Sequence, residues 1–181
     1  MSDAASIPAT LHLLTGPWAS GKTSLVPHLR ALLPEVVVFD WDVVLPGLSA
    51  AAGKDAHRDA STWDGLRTIW VAIVESVLAG GRDVLLCGPA RPEDFAGTGL
   101  PARLVRCACL DCADETLAER LRGRGATEAE IADELGTMAA LRESGYERLR
   151  ADDRSPYDLA AEVAAWIRAA RAIAPSAKDP A

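Results

Sequence analysis

The stretch that decides the fold of this chain reads Gly16-Pro17-Trp18-Ala19-Ser20-Gly21-Lys22-Thr23. It fits the pattern G-x-x-x-x-G-K-[ST] at every specified position. A short apolar run precedes it and a helical pattern follows it, which is the context that this pattern requires. Glycines let the backbone curl so that its N–H groups point inward, and the following helix adds its positive N-terminal end. The stretch therefore predicts a loop that cradles phosphate groups.

Individual residues of this loop have distinct expected roles. We expect Lys22 to reach the β- and γ-phosphates of a nucleotide and Thr23 to bind Mg²⁺. The predicted nucleotide contacts extend to Ser24, in the first turn of the following helix. The expected cofactors are ATP and Mg²⁺. A GTPase switch is not expected because the chain lacks an N-K-x-D guanine motif, although the sequence leaves the preference for ATP or GTP open.

Short apolar runs alternate with helical patterns along the rest of the chain. Continuous apolar runs of this length are typical of strands buried on both faces of a parallel sheet. The alternation predicts an α/β fold with a doubly wound, five-stranded parallel sheet. We interpret residues 1–181 as one domain with flexible ends at 1–8 and 175–181. The predicted strands are 11–15, 36–39, 83–87, 103–110 and a short fifth within 146–151, and the predicted helices are 23–33, 62–78, 114–122, 129–141 and 158–172.

Four single residues carry further structural expectations. Pro27 lies inside the first predicted helix and is expected to kink it or to shift its start. Asp114 is expected to cap the third helix and Gly136 to interrupt the fourth. His12 alternates with core positions in the first strand, so we interpret it as structural.

Composition excludes several classes of partner. The net charge of −7 argues against a broad nucleic-acid surface, which needs a basic stripe. No apolar run is long enough to span a bilayer, and the N-terminal residues lack the pattern of a secretory signal. We therefore expect a cytoplasmic protein with neither a nucleic-acid nor a membrane partner.

Three of the four cysteines follow a C-x-C-x-x-C pattern at Cys107, Cys109 and Cys112. This pattern makes zinc binding one hypothesis. The first two lie in an apolar run, and no second Cys/His pair lies at finger-like spacing. We favour buried thiols that pack as small apolar groups.

The phosphate loop and the order of parts over roughly residues 11–167 resemble the small P-loop kinases of the shikimate kinase, gluconate kinase and chloramphenicol phosphotransferase kind. The resemblance implies a three-layer P-loop NTPase fold with a short helical lid, here at about 121–138. It also implies ATP-dependent transfer of the γ-phosphoryl group to a hydroxyl of a small molecule.

The second apolar run ends in Phe39-Asp40-Trp41-Asp42, which resembles the D-x-D after strand two of shikimate kinase. The resemblance implies that Asp40 supports the magnesium ion and that Asp42 approaches the acceptor hydroxyl. Side chains at i and i+2 of a strand point the same way, so both carboxylates are expected together at the sheet edge where ligands bind. The alternative is a solvated turn, since Asp is common where strands end.

The segment 117–125 resembles the R-L-x-x-R lid entry of the same families. Arg120 and Arg124 would clamp phosphates from one helix face if the helix continues that far, with Gly123 and Gly125 as hinges. The alternative is a solvated basic face.

The loop before the last helix contains Arg154 and Pro156. In related kinases the matching loop packs against the adenine base, so the resemblance implies a nucleotide contact for these two residues. The alternative is a plain helix start.

On the acceptor side we select Trp41, Arg67 and Arg91. A flat aromatic wall suits a flat acceptor such as a nucleobase, and the two arginines would orient it. For Trp63 and Trp70 we favour packing in the core over lining the pocket, because tryptophans on a helix face usually pack.

The predicted function is that of an ATP-dependent kinase with a nucleoside-like acceptor. Alternatives are an antibiotic-inactivating O-phosphotransferase, a sugar-acid kinase or, in another class, a non-catalytic ATP-binding regulatory module. Release of ADP that depends on an acceptor separates the enzymes from the module. We expect a monomer or a homodimer, and the sequence decides neither the acceptor nor the oligomeric state.

Overall fold

A computed structural model describes residues 9–56, 59–100 and 104–173. Five strands form one parallel sheet in the order β2-β3-β1-β4-β5. The strands are β1 Leu11–Thr15, β2 Val36–Asp40, β3 Asp83–Cys87, β4 Val105–Asp111 and β5 Glu147–Arg150. The α-helices are α1 Lys22–Leu32, α2 Leu45–Ala52, α3 Trp63–Ala79, α4 Asp114–Arg122, α5 Glu128–Glu143 and α6 Pro156–Ile173, and short 3₁₀ helices occupy Trp41–Val44, Ala60–Thr62 and Pro92–Phe95.

The predicted parallel sheet is confirmed. β1 and β3 are buried along their whole length, as their continuous apolar sequences require. β5 lies within the predicted segment 146–151, and β4 begins at Val105 rather than at 103, a residue outside the described part of the chain. The predicted flexible ends also lie outside the described residues.

The sheet separates two apolar layers. On one side Leu14 packs with residues of α1, α4 and α6, including Leu29 and Val163. On the other side Leu11 and Leu13 pack with α3 and with the chain that follows β2. Adjacent positions of β1 thus serve opposite layers, which is the period of two expected of a strand. His12 is buried, as expected of a structural residue, and its ring lies 5.5 Å from that of Trp166 in an edge-on contact.

Three expectations about helices need correction. α1 begins at Lys22, so Pro27 does not shift its start; the proline removes only the N–H that would bond the carbonyl of the exposed Thr23. Asp114 is the first residue of α4 rather than its cap, and its carboxylate pairs with Arg142 at 2.8 Å instead. α5 runs through Gly136 without interruption.

The sequence analysis did not anticipate α2, nor the cap of α5. Thr127 and Glu130 form a reciprocal capping box, in which the Thr127 side chain accepts the Glu130 N–H and the Glu130 carboxylate accepts the Thr127 N–H. The T-x-x-E pattern at these positions is the sequence signature of this cap.

The four cysteines are free thiols. Burial raises the pKa of Cys87 and of Cys107 to about 12, and it also raises the pKa of Cys109 and of Cys112. All four thiols therefore stay protonated at neutral pH and act as packing groups in this structure.

Two glycines provide a stability test of the packing at the end of β3. A Cβ added to Gly88 would lie 2.3 Å from the Cβ of Trp41, whereas one added to Gly136 meets nothing within 4 Å. Gly88→Ala is expected to lower the free energy of unfolding by about 1–3 kcal/mol through overpacking. Gly136→Ala, its control inside α5, is expected to raise it by about 0.5–1 kcal/mol. Urea denaturation measures both, and a Gly88→Ala protein as stable as wild type would contradict the tight contact.

Candidate active site

The loop between β1 and α1 is tightly curled. Gly21 caps α1 with a φ of 109°, in the region that favours glycine, and Ala19 also has a positive φ of 64°. A Cβ on Gly16 would lie 2.8 Å from the Ser20 Oγ, so the two ends of the loop approach closely. Positive φ angles at these positions curl the backbone, as a phosphate-binding nest requires.

Lys22 lies inside this loop. Its Nζ donates hydrogen bonds to the carbonyl oxygens of Gly16 at 2.7 Å and of Pro17 at 2.9 Å. Burial lowers the pKa of Lys22 to about 8, and the nearby carboxylates of Asp42 and Glu134 only partly oppose that effect. The ammonium group is thus poorly solvated, and an anion in the loop would stabilise its charged form.

A cavity of about 620 Å³ opens from the loop toward the neighbouring strand ends. The phosphate loop lines one end, from Gly16 through Ser24 with Ser20 as the exception. The other end is lined by residues that follow β2 and β3 and by residues of α3. These residues are Asp42, Trp63, Arg67, Pro89, Arg91, Glu93 and Asp94, and Arg124, Glu134 and Thr137 complete the lining.

The two aspartates of the D-x-D do not share a strand. β2 ends at Asp40, whose Oδ1 accepts the Asp42 N–H at 3.1 Å and so caps the 3₁₀ helix Trp41–Val44. The argument from strand periodicity therefore fails, and the turn that we kept as an alternative is present. The turn nevertheless brings both carboxylates to a second cavity of about 400 Å³, which Thr23 also lines.

These three residues suit a magnesium ion. A hydroxyl and two carboxylates are hard oxygen donors of the kind that Mg²⁺ prefers, and it usually takes its other ligands from water and substrate phosphates. Among the described residues no cluster of three His, Cys, Asp or Glu side chains could hold a metal ion.

The structure contradicts the assignment of Trp41 to the pocket. Trp41 is 1% exposed and lies between Trp63 and Trp70, with ring centroids 6.4 Å and 5.8 Å away. Its carbonyl oxygen accepts the Trp70 Nε1–H at 3.2 Å. The 3₁₀ turn after Asp40 directs Trp41 back into the core. Trp70 is buried in the core, as preferred, whereas Trp63 packs half-buried against that core and also lines the cavity.

Arg120 and Arg124 both lie beside the phosphate loop, but they do not lie on one helix face as expected. α4 ends at Arg122, so the two arginines do not share a helix face. Arg120 donates a hydrogen bond to the Ser20 carbonyl at 3.5 Å, and both arginines line a cavity of about 170 Å³ beside the loop.

The loop before the last helix also lines this smaller cavity. Arg154 and Pro156 line it together with Gly21 and Ser24. The Arg154 guanidinium forms an ion pair with Glu162, and Pro156 is the first residue of α6. Three basic side chains from two parts of the sequence thus line one cavity beside the phosphate loop.

Arg67 and Arg91 line the large cavity as expected, and one carboxylate connects them. The Asp94 Oδ1 lies 2.9 Å from the Arg67 Nε, and the Asp94 Oδ2 accepts the Arg91 N–H at 2.8 Å. The sequence analysis missed Asp94. The R-P-E-D run is not a capping-box signature, because the arginine side chain has no acceptor, so no local pattern marks Asp94.

Glu134 is a second residue that the sequence analysis missed. Its carboxylate accepts the backbone N–H of Trp18, within the phosphate loop, at 2.8 Å, and it lines the large cavity. α5 is thereby tied to the loop. Nothing in the sequence marks Glu134, because a glutamate within a helix is ordinarily a surface residue.

No helix among the described residues is both long and apolar enough to cross a bilayer. Neither a scan against protein-family models nor a sequence search of curated proteins finds a match to this chain.

Solved structures do resemble it. The tunicamycin resistance protein of Deinococcus radiodurans superposes with a TM-score of 0.64 at 16% identity, over 88% of this chain and 95% of that one. Shikimate kinase from Aquifex aeolicus gives 0.58 at 14% identity, over 88% and 97%. The APS kinase of Mycobacterium tuberculosis, in complex with AMPPNP and APS, gives 0.54 at 20% identity, over 89% and 98%. The chain therefore has a P-loop kinase-like fold, as the sequence predicts.

The lowered pKa of Lys22 can be tested directly by NMR titration. The chain has three lysines, so the ε-¹³C resonance of Lys22 can be assigned as the one lost in Lys22→Ala. We expect that resonance to titrate near pH 8 in the free protein, and its midpoint to rise when inorganic triphosphate is added, since an anion stabilises the ammonium form. A midpoint near the ordinary value of 10.5, unmoved by triphosphate, would contradict the buried position of the amine.

Proposed function

We propose that this chain is an ATP-dependent kinase that transfers the γ-phosphoryl group to a hydroxyl of a small molecule. One observation carries the proposal: a half-buried lysine in a curled phosphate loop lines a cavity that is also lined by Asp42, Trp63 and two arginines. Proteins of similar fold include a shikimate kinase and an APS kinase. The size of the cavity, about 620 Å³, suits a small molecule.

In the proposed reaction the phosphate loop and Lys22 hold the phosphates and stabilise the charge that develops on their oxygens. Thr23 and Asp40 would hold Mg²⁺, which supplies further neutralisation of that charge. The bond from the γ-phosphorus to its bridging oxygen breaks, a bond to the acceptor oxygen forms, and ADP leaves. Asp42 orients the acceptor hydroxyl and accepts its proton late in the reaction.

Arg120 and Arg124 belong to the phosphate side of this mechanism. Arginine in this position stabilises transferring phosphoryl groups. Arg154 and Pro156 would flank the nucleotide base, because they line the small cavity on the opposite side of the loop from Asp42. The segment 121–138 would act as the lid, hinged at Gly123 and Gly125.

A nucleoside-like molecule remains the leading acceptor. The support for a flat acceptor moves from Trp41 to Trp63, whose ring borders the cavity. An antibiotic is the second candidate, because a tunicamycin resistance protein has the same fold. A sugar acid follows. A non-catalytic ATP-binding module is the alternative from another class.

A screen for acceptor-dependent release of ADP tests the proposal. Purified protein with Mg·ATP is assayed against nucleosides, sugar acids, aminoglycosides and chloramphenicol-type alcohols. We expect at least one acceptor to raise ADP release, and Lys22→Ala to reduce that rate about a hundredfold or more. The variant should stay folded, because it removes a poorly solvated charge, and circular dichroism verifies this. ATP binding without acceptor-dependent turnover would favour the regulatory module, and near-normal turnover by Lys22→Ala would contradict the loop assignment.

Substitutions of the two aspartates are expected to have different kinetic effects. Asp42→Asn should lower kcat by about 10²–10⁴-fold with little change in ATP affinity, because it removes the proton acceptor. Asp40→Asn should instead raise the concentration of Mg²⁺ needed, and added Mg²⁺ should partly restore its rate. Asn preserves the side-chain shape in both variants. The reverse pattern would exchange the two roles, and wild-type kinetics in both would reduce the D-x-D to a turn.

A further inference from the structure

The charges at the acceptor end of the large cavity are arranged in a way that bears on the acceptor. Among the described residues that line this cavity outside the phosphate loop, four are acidic and three are basic: Asp42, Glu93, Asp94 and Glu134 against Arg67, Arg91 and Arg124. Trp63 and Pro89 add flat apolar surface. A site built to capture an organic acid is expected to present an excess of cationic donors. The lining of this cavity outside the loop has no such excess.

Arg67 is already engaged. Its Nε lies 2.9 Å from the Asp94 Oδ1, and its Nη1 lies 3.1 Å from the Asp64 Oδ1. Two edges of the guanidinium fork therefore face carboxylates of the protein itself. An acid in the acceptor position would have to displace Asp94 to gain a paired contact with Arg67, and would meet the repulsion of that carboxylate otherwise.

Asp94 is held against such displacement. Its second oxygen accepts the Arg91 N–H at 2.8 Å, at the start of the 3₁₀ helix Pro92–Phe95. Its side chain is 19% exposed, whereas the other partner of Arg67, Asp64, is 96% exposed. Of the two ion pairs that Arg67 forms, the one with Asp94 is therefore the less exposed to solvent. The Asp94 carboxylate neutralises the charge of Arg67 at the cavity surface.

The remaining cation of this wall, Arg91, is exposed and has a carboxylate two residues away. Glu93 lines the same cavity and accepts a hydrogen bond from the Tyr146 hydroxyl at 3.3 Å. Carboxylates accept hydrogen bonds from hydroxyl and ammonium groups, and an aromatic face accommodates the flat side of a ring.

We propose that the acceptor is an uncharged or cationic hydroxyl-bearing molecule and not an organic acid, and that Asp94 is the positioning residue that sets this preference by neutralising Arg67. The inference rests on the proposed function and narrows it: a nucleoside or an aminoglycoside-type antibiotic fits the wall, and a sugar acid does not.

Binding measurements on matched probes test this without requiring turnover. D-Glucitol and D-gluconate differ by one carboxylate, and an aminoglycoside supplies the cationic class. Each is titrated into wild-type protein saturated with Mg·AMPPNP and followed by calorimetry. We expect gluconate to bind at least about tenfold more weakly than the best uncharged or cationic probe. Gluconate binding as well as or better than every other probe would overturn the inference.

The variant Asp94→Asn tests the assigned cause. The amide keeps the shape and can still accept the Arg91 N–H, but it leaves Arg67 without its sheltered counter-charge. We expect the affinity for gluconate to rise about tenfold over wild type. Asp64→Asn is the matched control, since it removes the exposed partner of the same arginine, and less than about a threefold change is expected from it.

The outcomes separate the two proposals. No gain of gluconate binding in folded Asp94→Asn, or an equal gain in Asp64→Asn, would overturn the role of Asp94. If Asp94→Asn does not fold, the comparison of probes on wild type still decides the acceptor class. The ADP-release screen fails or succeeds independently, because the binding experiment uses a nucleotide that transfers no phosphoryl group.

Discussion

The whole site depends on one unfavourable desolvation, that of the half-buried Lys22 ammonium group inside the curled loop. Desolvation lowers the pKa of this amine to about 8, although its Nζ donates hydrogen bonds to the Gly16 and Pro17 carbonyls and to the Ser20 hydroxyl. These neutral oxygens therefore compensate only in part for the hydration that the charge has lost. Phosphate oxygens would stabilise the ammonium charge, so the desolvated lysine favours an anion as the ligand of the loop.

The position of that loop in the sheet explains how the rest of the site is divided. β1 is the central strand, so its carboxyl end, and the loop after it, lie in the middle of the ligand-binding edge. On one flank, the ends of β2 and β3 lead to the aspartates, to Trp63 and to the wall built on Asp94. On the other flank, chain following β4 and β5 supplies Arg120, Arg124 and Arg154. One topology thereby places acceptor-side groups and nucleotide-side groups on opposite flanks of the same lysine.

Much of the fold could be predicted because its determinants are local. A continuous apolar run is a buried strand wherever it occurs, and the G-x-x-x-x-G-K-T pattern carries its own turn geometry. The D-x-D could not be placed this way, since the periodicity argument for its two aspartates assumed that β2 continues, and one hydrogen bond from the Asp42 N–H to Asp40 ends it. Trp41, selected because it lies beside those aspartates, turns into the core with them no longer on one strand. Arg120 and Arg124 were selected by resemblance to a lid entry, and α4 ends between them. Asp94 and Glu134 act through contacts with residues distant in the sequence, at separations that no local pattern encodes.

The central claim is that Lys22 and its loop form the phosphate site of a nucleotide-dependent transferase, and equilibrium binding of Mg·AMPPNP tests it most directly. Calorimetric titration of wild type and of Lys22→Ala at pH 7 reports the dissociation constants without any assumption about the acceptor. The account predicts saturable 1:1 binding by wild type and binding at least about tenfold weaker by the variant, because the amine meets the phosphates. Equal affinity in the two proteins, or no binding by wild type, would contradict it.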